Sequence, residues 1–229
     1  MNGLATRAIA EEQMDAPDLD PATYAAVLAD LGRANRVVMT ARPTLAFLAR
    51  ATRGRKRFSL LDVGFGDGGM LRAIARWAGK RGIEAVLHGV DLNPNSVAVA
   101  RAASDGYAID YHAGDYADRP DADFIISSLV AHHMTHDQLV AFVSHIERHA
   151  TAGWFVNDLL RSNFTYRGFP LLAWAMRWHP IVRADGQLSI ARSYRPDEWP
   201  PILAEANVPT GTARLLTPFP FRLCVERLR

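Results

Sequence analysis

The feature that most constrains the fold is an alternation of short apolar segments with helical stretches between residues 58 and 159. Most residues of the apolar segments are hydrophobic, on both faces of the expected strand, which is typical of strands that are buried on both faces. The stretches between them carry apolar residues at helical spacing. This alternation predicts βαβ units, and therefore a mostly parallel sheet covered by helices on both faces. We expect a doubly wound α/β fold.

The segments predicted as secondary structure in this region can be delimited residue by residue. The predicted strands are 58–63, 85–90, 109–112, 124–129 and 154–159, and the predicted helices are 70–78, 94–104 and 137–149. Asn93 followed by Pro94 is a helix start, and Thr135 with Gln138 forms a possible capping box. Strands near 210–216 and 221–227 are close enough in sequence to pair antiparallel. The expected sheet therefore has seven strands and ends in an antiparallel C-terminal hairpin.

Two segments outside this alternation are predicted to cover the sheet. Residues 1–57 are expected to form a helical cap, in which Asp20 caps a helix that starts at Pro21 and a second helix follows Pro43. Residues 58–229 are expected to form the main domain, with an aromatic-rich insert at about 161–192. We expect the cap and the insert to close over a binding site as a lid.

Composition excludes several classes of protein. A chain of 229 residues suits one sizeable α/β domain with appendages. The formal charge of +2 argues against a basic surface for nucleic acid. The single cysteine cannot form an internal disulfide, and residues 1–4 lack the basic and apolar regions of a signal peptide. These features favour a cytoplasmic enzyme.

A glycine-rich loop lies between the first predicted strand and its helix. Gly64, Gly66, Gly68 and Gly69 allow the backbone to turn sharply and to approach a ligand, because glycine has no Cβ. The spacing of Gly64, Gly66 and Gly69 also satisfies a dinucleotide-binding fingerprint. The glycines alone therefore leave an NAD-dependent oxidoreductase open as an alternative.

The loop and its neighbours resemble the class I S-adenosylmethionine (SAM)-dependent methyltransferases. That family has an acid two positions before the first glycine, as Asp62 is here, followed by alternating glycines. The segments Ser-Ser-Leu-x-x-His-His, Asn-Asp-Leu and Arg-Pro-Asp-Glu-Trp look like those of bacterial small-molecule methyltransferases associated with phenolic or polyketide products. The likeness covers nearly the whole chain, including the Met14-Asp15 and Leu19-Asp20 opening. It implies SAM as cofactor and S-adenosylhomocysteine as product.

The resemblance also implies which residues surround the cofactor. Asp62 and the glycines would face the amino acid end of SAM. A carboxylate attracts the ammonium and sulfonium groups of SAM, whereas it would repel the pyrophosphate of a dinucleotide. Asp91 would accept hydrogen bonds from ribose hydroxyls, or merely cap the next helix, and Asp115 would bind the adenine amino group, or be a simple turn acid. The expected cofactor contacts are Asp62, Gly64, Phe65, Gly66, Gly68, Asp91, Leu92, Gly114, Asp115, Tyr116 and Ser128.

Two adjacent histidines follow the fourth predicted strand, where a methyl acceptor is expected. His132 or His133 is the candidate general base that removes a hydroxyl proton as the acceptor oxygen attacks the methyl group. Either histidine could instead bond the backbone or cap the next helix. A metal site is not expected, because adjacent histidines point differently and His136 and Asp137 do not complete a ligand set.

Aromatic residues of the insert are candidates for the acceptor pocket, although ordinary core packing explains some of them equally well. These residues are Phe164, Tyr166, Phe169, Trp174 and Trp178. Arg177 and Arg183 lie beside these aromatics, which leaves a weak contact of residues 169–182 with a membrane surface open. A binding protein that holds SAM or a product without turnover is the remaining alternative to an enzyme.

Overall fold

The computed structural model describes residues 4–16 and 18–229, so most of the opening 1–4, on which the signal-peptide expectation rests, lies outside the described residues. The described residues form eight α-helices and seven strands. The helices are α1 (Pro21–Val37), α2 (Ala41–Ala51), α3 (Gly69–Gly79), α4 (Pro94–Ala103), α5 (His136–His149), α6 (Asn163–Ala175), α7 (Pro180–Arg192) and α8 (Trp199–Glu205). The strands are β1 (Arg57–Val63), β2 (Glu84–Asp91), β3 (Ile109–Ala113), β4 (Ala122–Ser128), β5 (Ala150–Leu159), β6 (Ala213–Leu216) and β7 (Arg222–Leu228).

All seven strands lie in one sheet with the order β3-β2-β1-β4-β5-β7-β6. Strands β1 to β5 are parallel, and β7 lies antiparallel between β5 and β6. The predicted doubly wound, mostly parallel sheet with an antiparallel C-terminal hairpin is confirmed. The strand order reverses at β1, whose neighbours are β2 and β4, and such a switch point opens a crevice at the carboxyl ends of the strands.

The predicted helix starts are present. The Asp20 carboxylate accepts hydrogen bonds from the amides of Ala22 and Thr23, and Asn93 caps α4. Thr135 and Gln138 form the predicted capping box. Helix α2 starts before Pro43 rather than after it, because a proline in the first helical turn lacks only an N–H that has no partner within the helix.

The core lies on both faces of the sheet. On one face, Phe47 of α2 stacks on Phe155 with ring centroids 4.9 Å apart, and Phe124 contacts Phe47 edge to face. On the other face, Trp154 and Trp199 are buried with α5 and α8. Packing on both faces holds the strands in one register, so their carboxyl ends are fixed relative to one another.

The N-terminal segment and the insert meet above the carboxyl ends of the strands. Helices α6 and α7 pack on each other, and α7 also packs on α1. The segment 4–16 is attached to α7, because the Asp185 carboxylate accepts from the amides of Gln13 and Met14 at 3.0 and 2.9 Å. The region expected as a lid therefore forms a continuous cover in this structure. Within the described residues, no helix combines the length and the apolar character needed to cross a membrane.

Candidate active site

A cavity of about 1400 Å³ occupies the crevice at the carboxyl ends of β1, β2 and β4. The glycine loop and the ends of the parallel strands form its floor, and α1, α6 and α7 form its cover. The wall includes Asp62 and Gly64 at one end and His132 and His133 at the other. One cavity therefore joins the loop predicted to hold the cofactor with the two histidines predicted at the acceptor.

The glycine loop has a shape that only glycine adopts at low cost. Gly64 has φ +76°, and a Cβ at this position would lie 2.3 Å from the Val130 side chain. Positive φ is unfavourable for residues with a Cβ, and the close contact adds to that cost. The loop is tied to β2, since the Gly66 amide donates to Asp91 Oδ2 at 2.9 Å. The backbone of the loop therefore lies at the cavity wall in one defined conformation.

Asp62 lies beneath this loop and is only 1% exposed. Its Oδ1 has no hydrogen-bond partner among the described residues, and the same holds for Oγ of Ser128, another residue of the cavity wall. Burial, reinforced by the charges of Asp91 and Asp67, raises the pKa of Asp62 well above its ordinary value. A cationic donor in the cavity would satisfy the oxygen and favour the ionised carboxylate. These residues therefore fit the ammonium of SAM.

Four of the other expected cofactor contacts line the cavity. Asp91 and Leu92 line the cavity, as do Gly114 and Tyr116. Asp91 Oδ1 also accepts from the Asn93 amide, so this carboxylate ties both the glycine loop and the start of α4 to the end of β2.

Asp115 lies outside the cavity wall. It is exposed, and its Oδ1 accepts from the Ala117 amide at the start of a short 3-10 turn. Phe65 lines the cavity, but its ring packs on Tyr111. Asp115 therefore caps a short turn, as the simple turn acid that sequence analysis left open would, and Phe65 contributes apolar surface to the cavity wall.

His132 is held by the carboxyl group of Asp158 at the end of β5. His132 Nδ1 lies 2.7 Å from Asp158 Oδ1, and the His132 amide donates to Asp158 Oδ2 at 2.8 Å. Burial raises the pKa of Asp158, but the charge and hydrogen bonds of His132 and the Leu159 amide outweigh this effect and bring the pKa below its ordinary value. Asp158 therefore fixes the orientation of the ring and directs its Nε2 away from β5.

Glu12, from the N-terminal segment, lies opposite both histidines. Its Oε1 is 3.6 Å from Nε2 of His132, and its Oε2 is 3.8 Å from Nε2 of His133. Glu12 is 4% exposed and accepts a hydrogen bond from Ser189 Oγ at 2.7 Å. Nε2 of each ring therefore lies close to a carboxylate at the cavity wall.

The same side chains could also hold a metal ion. One ligand atom from each of Glu12, His132 and His133 lies within 4.8 Å of the others. A second such group, His88 with Asp110 and His112, lies on β2 and β3. Sequence analysis weighed His136 and Asp137 as further ligands and did not consider Glu12. The expectation that no metal is bound stays a prediction.

The aromatic residues of the insert do not all face the cavity. Phe164 and Phe169 are part of its wall, whereas Tyr166, Trp174 and Trp178 are not. Trp178 is 2% exposed and packs with Phe169 in a small core between α1, α6 and α7, while Trp174 is 71% exposed on the outside of α6. Tyr166 and Trp174, on α6, and Trp178, in the turn between α6 and α7, therefore lie outside the cavity wall in this structure.

Two buried charged residues of the cavity wall were missed by the sequence analysis. Glu12 gives no local signal, since it lies in an irregular segment far from the histidines in sequence. Arg222 is 1% exposed, and burial lowers its pKa to about 10. Its Nε and Nη1 have no hydrogen-bond partner among the described residues. A charge directly before the apolar run Leu223–Val225 was the available signal for Arg222.

The chain is similar to known methyltransferases in part of its sequence and in its fold. Residues 60–153 match the family described as methyltransferase domain. No curated protein matches the chain in sequence. Among solved structures, the plantazolicin methyltransferase in complex with a monoazolic desmethylPZN analog and S-adenosylhomocysteine is 13% identical, with a TM-score of 0.65 over 88% of this chain and 89% of that chain.

Two further structures have the same fold. A SAM-dependent methyltransferase from Aquifex aeolicus is 16% identical, with a TM-score of 0.63 over 92% of this chain and 99% of that one. Human N-acetylserotonin methyltransferase in complex with SAM is 14% identical, with a TM-score of 0.63 over 92% of this chain and 56% of that one. Residues 60–153 therefore resemble a methyltransferase domain, and the chain has the fold of the class I, SAM-dependent methyltransferases.

Proposed function

We propose that the protein transfers the methyl group of SAM to a hydroxyl of a small aromatic or polyketide-like acceptor. The observation that carries this proposal is the single cavity that is lined both by Asp62 and the glycine loop and by the group of His132, His133 and Glu12. A cofactor and an acceptor bound at its two ends would be adjacent. The methyltransferase domain at residues 60–153 supports the same reaction class.

At the cofactor end, Asp62 binds the positively charged amino acid end of SAM and Asp91 binds its ribose. When bound, SAM supplies an electrophilic methyl group. Asp62 contributes an unpartnered buried oxygen, and the bends at Gly64 and Gly66 bring backbone rather than side chains to the cavity. Leu92, Gly114, Tyr116 and Ser128 complete the proposed contacts.

At the acceptor end, His132 or His133 accepts the proton of the hydroxyl group. Asp158 occupies Nδ1 of His132, which leaves Nε2 of that ring to face Glu12 and the cavity. His133 lines the same wall and its side chain is 27% exposed. General base catalysis contributes about 10²- to 10⁴-fold, whereas alignment of two reactants contributes roughly 7–11 kcal/mol. Alignment within the cavity is therefore the larger effect.

The walls beyond the histidines favour an apolar acceptor. Phe164, Phe169 and Leu172 of α6 lie on one side, and Leu28 and Leu31 of α1 are also part of the wall. Apolar walls with a few polar groups are typical of sites for small organic ligands. The plantazolicin and N-acetylserotonin enzymes act on different acceptors, so the fold alone does not select one.

Calorimetry with SAM, S-adenosylhomocysteine and NAD tests the cofactor first. We expect binding of SAM and S-adenosylhomocysteine and none of NAD; the reverse result would identify a dehydrogenase. Incubation with methyl-labelled SAM and a panel of phenols, followed by mass spectrometry, then tests transfer. Label in a phenol ether supports the proposal, whereas SAM binding without transfer to any acceptor in the panel or in an extract would indicate a binding protein.

A further inference from the structure

The outer face of α6 is unusually apolar for an exposed helix. Phe164, Leu171 and Trp174 are 70%, 72% and 71% exposed. Their spacing of seven and then three residues places them on one stripe of the helix. The residues of α6 that face inward, such as Ala173, are apolar as well. Burial within this chain therefore does not explain the stripe.

The exposed stripe continues onto the loop before β7. Phe219 and Phe221 are 68% and 38% exposed, and the rings of Phe164 and Phe221 lie 5.0 Å apart. Phe221 in turn contacts Phe219 at 6.1 Å. We call the set Phe164, Leu171, Trp174, Phe219 and Phe221 the outer patch. Contiguous exposed apolar surface of this kind marks a contact site in a folded protein.

The outer patch adjoins the opening of the acceptor end of the cavity. Phe164 and Phe221 belong both to the outer patch and to the cavity wall, and Leu172 of the same helix is also exposed and lines the cavity. An apolar molecule at the outer patch would therefore reach the cavity without crossing polar surface. A partner that binds the outer patch is therefore placed to transfer a methyl acceptor into the cavity.

The charged residues close to the outer patch in the sequence are basic. Between Asp158 and Asp185 the sequence contains no acidic residue, and residues 217–221 contain no charged residue. Arg167 and Arg177 are exposed on and just after α6. Exposed aromatic side chains beside arginines favour the interface of an anionic lipid bilayer, where rings enter the headgroup region and guanidinium groups pair with phosphates.

We infer that the outer patch docks on an anionic membrane surface and admits an amphipathic, lipid-like hydroxyl compound from it into the cavity. The acceptor class rests on the proposed function, whereas the docking surface does not. The contact is interfacial: α6 lies flat on the headgroup region with Leu171 and Trp174 inserted. It differs from the weak contact of residues 169–182 expected from the sequence, because Trp178 and Val182 of that range are buried.

Sedimentation with vesicles tests the docking surface. We expect the protein to bind vesicles of phosphatidylcholine with phosphatidylglycerol, and to bind vesicles of phosphatidylcholine alone more weakly. Leu171→Ser/Trp174→Ser should lower the partition coefficient by about tenfold or more, and Arg167→Ala/Arg177→Ala by about fivefold per arginine. Leu228→Ser, which changes a 39% exposed leucine near the amino ends of the parallel strands, is the matched control and should bind as the wild type does.

Equal binding of the Leu171→Ser/Trp174→Ser variant and the wild type, or no binding to either vesicle, would overturn the inference. A concentration-dependent dimer that this variant abolishes would also overturn it, because the outer patch would then be covered by a second copy. Both substituted side chains lie outside the cavity wall and are mostly exposed, so the variant is expected to fold normally.

A pair of acceptors separates this inference from the proposed function. The Leu171→Ser/Trp174→Ser variant should methylate a short water-soluble phenol at the wild-type rate and lose turnover on a long-chain alkyl phenol embedded in anionic vesicles. Equal rates on the embedded phenol would count against delivery from the membrane. Patch-dependent vesicle binding without methyl transfer to either phenol would support the docking surface and reject the proposed function.

Discussion

The two ends of the cavity are built in different ways. The centre of the cofactor end is made from consecutive residues: β1, the glycine loop and α3 are contiguous in sequence, and Asp91 ties them to the neighbouring strand. The acceptor end is assembled from separate segments, since Glu12, His132 and Phe164 come from the N-terminus, the turn after β4 and the insert. The first end depends on local backbone shape, and the second on tertiary packing of side chains.

This difference affects how each end should respond to substitution. Changes at the glycine loop act on the backbone and should affect folding and cofactor binding together. Changes at the histidine group remove side-chain chemistry and should affect turnover while SAM still binds. The two ends can therefore be tested separately, by calorimetry for SAM and by turnover of an acceptor.

The largest expected effect is at the acceptor end. His132→Ala/His133→Ala should lower kcat about 10²- to 10⁴-fold, because the proposed base is lost, while the affinity for SAM stays within error. His136→Ala, which removes an exposed histidine paired with Glu205, is the control. His133→Ala alone keeps the test valid if the double variant fails to fold, and unchanged kcat in a folded double variant would reject a histidine base.

Gly64→Ala should have the next largest effect, on folding as well as on SAM binding. The positive φ costs roughly 1–2 kcal/mol, and the contact with Val130 adds about 1–3 kcal/mol. We expect the free energy of unfolding in urea to fall by about 2–5 kcal/mol, the sum of these costs. Gly106→Ala has a similar φ of +78° but open space around it, so it measures the backbone cost alone. Equal losses in the two variants would show that the loop is not tightly packed.

Asp62→Asn should weaken SAM binding by about 10- to 150-fold, the value of a hydrogen bond to a charged group. Because SAM favours the ionised carboxylate, wild-type affinity should rise with pH through the raised pKa of Asp62, and the variant should lose this rise. In the ligand-free protein, pH acts in the opposite direction on stability, and the free energy of unfolding falls as pH rises. The stability contributed by a raised pKa is complete below the unfolded value near 4 and is lost as pH rises through the folded pKa.

Thermal denaturation of the ligand-free wild type and of Asp62→Asn across this pH range tests the predicted effect of Asp62 on stability. The wild type should lose stability relative to Asp62→Asn as pH rises. A pH-independent difference between the two proteins, in both calorimetry and denaturation, would mean that Asp62 does not change its ionisation in the accessible range.

Glu12→Gln should have the smallest effect of the four, lowering turnover by about 5- to 10-fold through the loss of a charge about 4 Å from the rings. The affinity for SAM should not change. Glu11→Gln, on the adjacent exposed residue, is the matched control. If both variants lower turnover equally, the effect belongs to the general charge of the segment and not to the contact with the histidines.

The sequence predicted the parts of the molecule that depend on near neighbours. The alternation of strands and helices, the Asn93 cap and the Thr135 capping box rest on residues a few positions apart, and the structure agrees. The placement of Asp62, Gly64 and Asp91 at one crevice followed because parallel strands end on the same side of a sheet.

The remainder could not be predicted because it depends on contacts between distant segments. Glu12 lies beside His132 only after the N-terminal segment has docked on α7. Helix α6 is apolar on both faces, so periodicity did not reveal that Trp174 faces outward. Asp115 was expected to contact the cofactor and Trp178 the acceptor. The position of Asp115 depends on a short turn, and that of Trp178 depends on packing with α1.

The attachment of the N-terminal segment has a consequence for how freely that segment can vary. Asp185 holds Gln13 and Met14 by their backbone amides, and every amino acid except proline supplies such an amide. Met14 also lines the cavity, so substitutions at this position should leave the docking intact while changing the side chain presented to the cavity. New acceptor preferences could then arise by exchange of side chains on a fixed backbone, with the folding of the domain and the cofactor loop unchanged.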